Sequence, residues 1–252
     1  MFQINNFFNN STIEVLDKKG CMTVIHYKSD MSVHPSEAKM KYYMSKMGCT
    51  KKQLVIQLAG NAMTLQKGAM QWMAGNVNMT SGVKGAGDLM KKTFTGKVTG
   101  ESAIKPEYSG EGFVICEPTY KYLLLEDLAG WNGAMVVEDG MFMASEGTVK
   151  HSVVARTNAS SAVLGGEGLF NLGLSGTGIV CLESKVPREE LVEVILQNDT
   201  LKIDGSYAVA WSRSLDFTVE RSGKSLLGSA ASGEGLVNVY RGSGKVLMMP
   251  CV

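Results

Sequence analysis

A motif that recurs at a constant interval is the feature that most restricts the fold of this 252-residue chain. Gly-Glu is followed each time by a Gly-x-Gly triplet and an apolar run. The first glycines of the three triplets are Gly110, Gly176 and Gly242, which lie 66 residues apart. Such a period is typical of one structural unit that is used repeatedly. The sequence therefore predicts three equivalent units in a pseudo-threefold arrangement.

The pattern inside each unit is that of an all-β structure. Short alternating apolar segments are separated by turn residues about every 8 to 12 residues, which is typical of a small β-sandwich. Asp139-Gly140 and Asp204-Gly205 predict type I′ hairpin turns, because both central residues of that turn need a positive φ. Gly-x-Gly predicts a further hairpin. We expect an all-β fold with three tandem β-sandwich repeats at residues 52–118, 119–184 and 185–252, forming one compact body.

The first 51 residues have no counterpart in the repeats. Thr12–Val15 and Met22–Tyr27 indicate two strands, and Ser36–Met47 has the apolar spacing of a helix, with Gly48 as its C-cap. We expect residues 1–51 to form an N-terminal hairpin plus a short amphipathic helix. The apolar face of this helix is expected to pack on the outer surface of one repeat, through Met40, Tyr43, Met44 and Met47.

Charge, hydropathy and cysteine usage exclude several classes of protein. The net charge of +1 argues against nucleic-acid binding. Apolar runs are too short for a transmembrane segment, and the first ten residues do not resemble a secretory signal. The five cysteines are an odd number without paired spacing, and Cys116 and Cys181 lie in apolar runs. We expect core thiols, no disulfide and a cytoplasmic protein, with peripheral membrane association left open.

Three repeated glutamates, Glu101, Glu167 and Glu234, are the first candidates for a site. Around a pseudo-threefold axis, three carboxylates can converge on Ca²⁺ or Mg²⁺, which prefer oxygen ligands. A glutamate between small residues is explained more simply by hydrogen bonds from backbone N–H groups at a turn. The favoured interpretation is therefore structural, and no metal site is assigned.

The segment Gly82–Lys92 is the second candidate, because it is an insertion found only in the first repeat. Its glycines and lysines suit phosphate binding through backbone N–H groups, but it lacks the Gly-Lys-Ser/Thr of a phosphate loop. A surface loop is the favoured interpretation. It remains the segment in which we most expect binding, since function concentrates on loops held by a rigid scaffold.

The three histidines, His26, His34 and His151, are too scattered to predict a Ser/His/Asp relay or a metal site. His151 occupies the position at which the other repeats have Met79 and Phe217, which indicates a residue of the core wall. The tryptophans are likewise interpreted as packing residues, at positions Trp72, Trp131 and Trp211.

Several segments of the chain together resemble the family named after altered inheritance of mitochondria protein 24. They are Gly68–Gly75, Lys84–Leu89 with Thr99–Ser102, Gly165–Leu172 and Ser232–Tyr240. The resemblance runs from about Lys52 to the C-terminus. It implies a threefold duplication of a β-sandwich similar to the tryptophan RNA-binding attenuation protein. Mitochondrial members of the family are associated with inner-membrane organisation, and the family has no established catalytic residues to assign here.

The sequence thus favours a non-enzymatic binding or scaffold protein without catalytic residues, metal or cofactor. Its expected partner is an unknown protein or a further copy of the chain, and no nucleic acid is expected. The alternative is a small-ligand-binding or enzymatic β-sandwich with a site at a repeat junction near Gly82–Lys92.

Overall fold

The structure, a computed structural model, describes residues 2–30, 32–81, 105–155, 170–221 and 236–250. Strands hold 61% of these residues, so the fold is mostly β, as predicted from the sequence. The described ranges contain one α-helix, α1 (Ala38–Lys46), which has nine residues. No helix within them has the length and apolar character that crossing a membrane requires.

Fifteen strands and three short 3-10 helices accompany α1 in the described residues. The strands are β1 (Ile13–Lys19), β2 (Met22–Tyr27), β3 (Lys52–Leu65), β4 (Met70–Thr80), β5 (Glu107–Cys116), β6 (Tyr122–Asp127), β7 (Ala134–Val137), β8 (Phe142–Glu146), β9 (Val149–Ala155), β10 (Phe170–Gly176), β11 (Ile179–Ser184), β12 (Val192–Asp204), β13 (Ala208–Ser212), β14 (Asp216–Arg221) and β15 (Leu236–Met248). The 3-10 helices are Pro35–Glu37, Leu128–Trp131 and Arg188–Glu190.

The strands form two curled sheets with antiparallel pairing. The first sheet has the order β1-β2-β3-β8-β11-β6, and β5 adds to it by pairing with both β3 and β4. The second has the order β12-β15-β13-β7-β10-β9, with β14 paired to β15. The first sheet curls so far that its terminal strands approach each other. This approach is shown by a hydrogen bond in which Lys19 Nζ of β1 donates to the Leu125 carbonyl of β6 at 2.5 Å.

The core consists of apolar clusters within and between these sheets. Cys116 and Cys181 are fully buried among them, as the sequence predicts. A cluster in the second sheet is aromatic: the Trp211 ring centroid lies 5.1 Å from Phe217 and 5.3 Å from Tyr240. The remaining tryptophan positions differ, since Trp131 is also buried and Trp72 is half-buried.

The predicted Gly-x-Gly hairpins are wrong. Gly110 and Gly242 lie inside the continuous strands β5 and β15, while Gly176 ends β10. All three have a φ near +115°, at 116°, 114° and 116°, so the chain bends there without reversing. A Cβ atom at Gly110 would lie 2.2 Å from the carbonyl oxygen of Asn76 on the facing strand. Glycine is therefore required by the backbone conformation and by the close approach of a neighbouring strand.

The predicted Asp-Gly hairpins are also incorrect. Gly140 and Gly205 have φ angles of 73° and 78°, whereas Asp139 and Asp204 do not have the positive φ of a type I′ turn. The chain does turn at both places, but the strands on either side do not pair with each other. In the second sheet β15 lies between β12 and β13. At Gly205 the turn therefore carries the chain across a central strand, and at Gly140 it carries the chain from the second sheet to the first.

The N-terminal hairpin is part of the first sheet, because β2 pairs with β3 over Met22 to His26. Helix α1 ends as predicted, with Gly48 at a φ of 77°. Its expected packing is wrong: no helix residue is buried, and Met40, Tyr43 and Met47 are 55%, 58% and 78% exposed. The outer face of the first repeat is covered instead by N-terminal aromatic residues. Phe7 stacks edge-on against Trp72 at 5.7 Å, and Phe8 lies 5.1 Å from Phe113.

Candidate functional site: a cleft between the terminal strands of the first sheet

A cleft of about 830 Å³ lies where the terminal strands β1 and β6 approach each other. Residues that are distant in the sequence line it: the N-terminal hairpin, the start of β3, strand β6 and the 3-10 helix Arg188–Glu190. Lys19 bridges the two strands through its bond to the Leu125 carbonyl. The curl of the sheet therefore builds a polar cleft beside its core.

Lys52 is the central charged residue of this cleft. It is the first residue of β3 and is only 2% exposed, which is rare for a lysine without a carboxylate partner. Its Nζ donates to the Thr50 carbonyl at 3.0 Å and lies 4.0 Å from the centroid of the Tyr122 ring. No described carboxylate forms an ion pair with it. The ammonium has three donors, and these contacts leave at least one for another acceptor.

Burial lowers the pKa of the Lys52 amine below its ordinary value of 10.5, while the nearby Cys49 thiol acts in the opposite direction. The cause is the loss of hydration of the charged form. A negative group bound beside Nζ would favour the ammonium and restore its pKa. The immediate surroundings of Lys52 are therefore suited to an anionic group, while the cleft as a whole carries both acidic and basic residues.

The hairpin side of the cleft carries a paired histidine. His26 Nε2 lies 3.2 Å from Glu14 Oε2, and its Nδ1 lies 3.2 Å from Thr50 Oγ1. Thr50 is thus shared, because its carbonyl receives the Lys52 ammonium. Glu14 is engaged by His26 and does not neutralise Lys52.

The opposite side has a paired carboxylate as well. Glu126 Oε1 accepts from Arg188 Nε at 2.9 Å, and its Oε2 accepts from the indole of Trp131 at 3.0 Å. Arg188 also contacts Glu193 at 3.2 Å. Glu14 and Glu126 are therefore engaged by other groups. Asp17, Glu189 and Glu190 also line the cleft, but none of the described carboxylates pairs with Lys52.

The first two site candidates from the sequence are not among the residues that the structure describes. Glu101, Glu167, Glu234 and the loop Gly82–Lys92 lie outside the described residues. Within the described ranges, no group of three His, Cys, Asp or Glu side chains is arranged to hold a metal ion.

His151 is a wall residue, as its position in the repeat predicts. Its Nε2 lies 2.9 Å from Ser145 Oγ, and its ring packs edge-on against Phe142 at 5.1 Å. Burial, and then the charge of Lys105, lower the pKa of His151 from 6.5 to about 4. Ser145 is fully buried, so this serine–histidine pair has no access for a substrate.

Sequence reasoning missed Lys52 and its cleft. Lys51-Lys52 precedes an apolar strand and has the pattern of a solvated strand end. Only the pairing of β2 with β3 and the curl of the sheet toward β6 bury the second lysine. The next residue, Gln53, is also buried, and its amide donates to the Cys116 carbonyl at 2.7 Å.

Proteins from Streptococcus pyogenes are similar to most of this chain. An uncharacterized protein of serotype M6 is 27% identical over 194 residues, which cover 74% of this chain and 76% of that protein. A crystal structure of a protein from the same species has 21% identity and a TM-score of 0.60, and the match covers 95% of this chain and 94% of that chain. At this identity the structural likeness shows a shared fold.

A family model described as Mitochondrial biogenesis AIM24 matches residues 44–251. The match includes Lys52, Tyr122 and Arg188 of the cleft, and it leaves β1 and β2 outside. The match spans most of the sequence and agrees with the resemblance of the glycine-rich segments. The chain belongs to the AIM24 family.

Proposed function

We propose that this chain is a non-enzymatic binding protein whose cleft receives a small molecule through a carboxylate or phosphate group. The observation that carries the proposal is the buried Lys52, which lines the cleft and has no carboxylate partner in the described part of the chain. An unpaired buried charge destabilises a fold, because its desolvation is not repaid by a counter-ion. Residues that cost stability are concentrated at functional sites.

The rest of the cleft supports binding by anchoring this ammonium. The Thr50 carbonyl and the Tyr122 ring hold Nζ from two directions, so its position is fixed before a ligand arrives. Such preorganisation lowers the entropic cost of binding. Glu189 and Glu190 also line the cleft, so an anion with a positively charged or hydroxylated remainder would find complementary groups beside Lys52.

A binding role agrees better with the described residues than catalysis does. In the serine–histidine pair among them, Ser145 is fully buried and His151 is half-buried, packed in the core wall. In the cleft, His26 is engaged at both ring nitrogens by Glu14 and Thr50. The cleft lies between the N-terminal hairpin and β6, whereas the Gly82–Lys92 segment, in which the sequence analysis most expected binding, lies outside the described residues.

The test is thermal unfolding at pH 7.5 with potassium phosphate or potassium acetate, the ionic strength being held constant with chloride. Either anion at ten times its Kd should raise the Tm of the wild-type chain by roughly 3 to 6 °C. The stronger of the two responses identifies the class of anionic group. Lys52→Met should retain the fold and lose the response.

Lys105→Met is the matched control. Lys105 also lies over an aromatic ring, 4.7 Å from the centroid of Phe142, and bonds to Gln66, but it does not line the cleft. This variant should respond to the anion as the wild type does. Equal responses in the Lys52 and Lys105 variants, or none in the wild type, would contradict the proposal.

We further propose that the chain contains three equivalent repeats, at residues 52–118, 119–184 and 185–252, with residues 1–51 as an added element. The pseudo-threefold axis expected from the sequence is not part of this proposal, because the described strands form two of the three junctions that such an axis requires. The shared φ near +115° at the three Gly-x-Gly glycines supports this division. So does an extra residue that interrupts an equivalent strand pair in each repeat, at Gln71, Met143 and Val209.

We also propose a cytoplasmic location for the protein. The four described cysteines, which include the fully buried Cys116 and Cys181, are free thiols. Free thiols agree with a reducing compartment. Peripheral membrane association stays an open extension of the same proposal.

A further inference from the structure

Two junctions between consecutive repeats use the same kind of strand pair. Each repeat has two strands that are separated by a turn with a glycine. At each junction, the strand before this turn in one repeat pairs with the first part of the strand after the corresponding turn in the next repeat. At the first junction β3 pairs with β8, and at the second β7 pairs with β13. The paired residues are Met63↔Glu146, Thr64↔Ser145 and Leu65↔Ala144, and then Met135↔Ser212, Val136↔Trp211 and Val137↔Ala210.

Two strand edges, one after the turn in the first repeat and one before the turn in the third, have no such pair among the described strands. We call them the β4 edge (Trp72–Ala74) and the β12 edge (Leu201–Ile203). Among the described strands, β4 pairs only with β5, and β12 pairs only with β15. The two edges therefore have the two halves of a third junction, which the described part of the chain does not form.

The register of that third junction follows from the existing pairs. Leu201 corresponds to Met63 and Met135, because these residues pair with Tyr240, Tyr108 and Leu174, each two residues before the repeated glycine. Trp72 corresponds to Ala144 and Ala210 through partners that recur every 66 residues, namely Ile115, Cys181 and Leu247. The complementary register is Leu201↔Ala74, Lys202↔Met73 and Ile203↔Trp72.

The β4 edge lacks the features that keep exposed strands apart. The eleven residues of β4 contain no proline and no charged side chain, and Met73 is 43% exposed. Natural edge strands are normally blunted by such residues. On the β12 edge, Lys202 would face Met73, where its aliphatic stem can pack while its ammonium stays in water.

We propose that the partner of the β4 edge is the β12 edge of a second copy of this chain, paired in the register given above. A second copy is the occupant because the chain itself carries the complementary edge, and its own two edges do not pair with each other among the described strands. The contact is heterologous: two copies can satisfy both edges in a closed pair, or further copies can extend the array. The inference rests on the repeat equivalence and is independent of the cleft.

Cysteine cross-linking tests the register. The double variant Met73→Cys with Lys202→Cys should form disulfide-linked dimers or larger species under mild oxidation. Met79→Cys with Lys202→Cys is the control, because Met79 is similarly exposed on β4 but lies six residues away from the predicted partner. Native Cys21 and Cys49 give the same background in both. We expect at least a tenfold excess of linked chains in the first variant.

Two results would overturn the proposal. One is equal cross-linking in the two double variants, and the other is a 73–202 disulfide within a single chain, which would mean that the edges close intramolecularly.

A charge exchange gives a second measurement without cysteine. Met73→Lys opposes Lys202 with a like charge and should reduce the mass measured by light scattering to that of one chain, 27.1 kDa. Met73→Glu is matched in position and opposite in charge, so it should preserve the larger mass. A wild-type chain that stays monomeric at tens of micromolar, or equal masses in the two variants, would contradict edge pairing between copies.

Discussion

His151 and Lys52 are both basic residues, but they differ in their charge at neutral pH. His151 is neutral at pH 7, because burial and then the charge of Lys105 lower its pKa to about 4. Lys52 has a lowered pKa as well, but its ordinary value of 10.5 leaves far more room before the proton is lost. The histidine is therefore a packing residue at neutral pH, while the lysine lines the cleft and forms no ion pair with a described carboxylate.

The pH dependence of stability should carry the signature of His151. Its pKa is about 4 in the folded state and 6.5 when unfolded, so between these values the unfolded chain binds the additional proton. Stability is therefore present above pH 6.5 and falls as the pH drops toward 4, by up to about 3 kcal/mol at about 1.4 kcal/mol per pH unit. Urea unfolding across this range measures it. His151→Gln should flatten that part of the profile, and an unchanged profile would be inconsistent with the buried neutral ring.

Lys52→Met should leave the folded chain at least as stable as the wild type at pH 7. The folded-state pKa of Lys52 lies below its unfolded value of 10.5, so the wild type gains stability as the pH rises through that window. Methionine has a similar volume and removes the desolvation cost of the ammonium. Urea unfolding at pH 7 and pH 10 should show the advantage of the variant shrinking with pH. A loss of several kcal/mol at both pH values would instead mean that Lys52 is a structural residue.

At the scale of elements, the strands of this chain are bent at glycine rather than interrupted. β5 and β15 each continue through a residue with a φ near +115° and keep their pairing on both sides of the bend. The same two strands lie between neighbours on both edges, so each organises its repeat. This explains why the glycines recur at a fixed interval although no hairpin forms there.

Gly110→Ala and Gly242→Ala separate the two reasons for these glycines. Both have a φ of 116°, so either substitution should cost about 1–2 kcal/mol of stability through backbone strain. A Cβ would lie 2.2 Å from the Asn76 carbonyl at Gly110, but 3.7 Å from the Ser214 carbonyl at Gly242. Gly110→Ala should therefore cost about 1–3 kcal/mol more, since a backbone carbonyl must move. Equal losses in denaturant unfolding would show that contact with the facing strand is unimportant.

The N-terminal hairpin and α1 should differ in their contribution to stability. Met22 of β2 is fully buried, so Met22→Ala should cost about 2–5 kcal/mol. Met40 of α1 is 55% exposed, so Met40→Gln should change stability by no more than about 0.5 kcal/mol. Thermal unfolding of both variants measures the difference. A large effect at Met40 would indicate that the helix packs as its apolar spacing suggests.

Local chemistry made part of these elements predictable. The alternation of apolar residues identified Met22–Tyr27 as a strand, and Gly48 ends α1 with the positive φ that a C-cap uses. The strand partners were not predictable, because a glycine with positive φ serves a hairpin, a strand bend or a turn across a central strand equally well. The helix face was misjudged for a related reason: the aromatic segment Phe2–Phe8 competes for the same outer surface and covers it.

On the scale of the whole molecule, the candidate site arises from the curl of a sheet. The cleft combines the hairpin, the start of β3, β6 and Arg188–Glu190, and its lining residues lie up to 176 positions apart, from Glu14 to Glu190. No local motif connects Glu14, Lys52 and Arg188, so sequence reasoning could identify the all-β class and the family while missing the cleft. The three glutamates became candidates because they recur in the repeats. A site formed by residues that do not recur cannot be recognised from the repeat period.

The measurement that tests the central claim most directly is the pKa of Lys52, followed by NMR of ¹³Cε in lysine-labelled protein. Comparison with the spectrum of Lys52→Met assigns the resonance. We expect a pKa below 10.5 in the free protein and a rise toward that value when phosphate or acetate is added. A resonance that titrates at the ordinary value and is unchanged by both anions would contradict an uncompensated lysine that receives an anionic ligand.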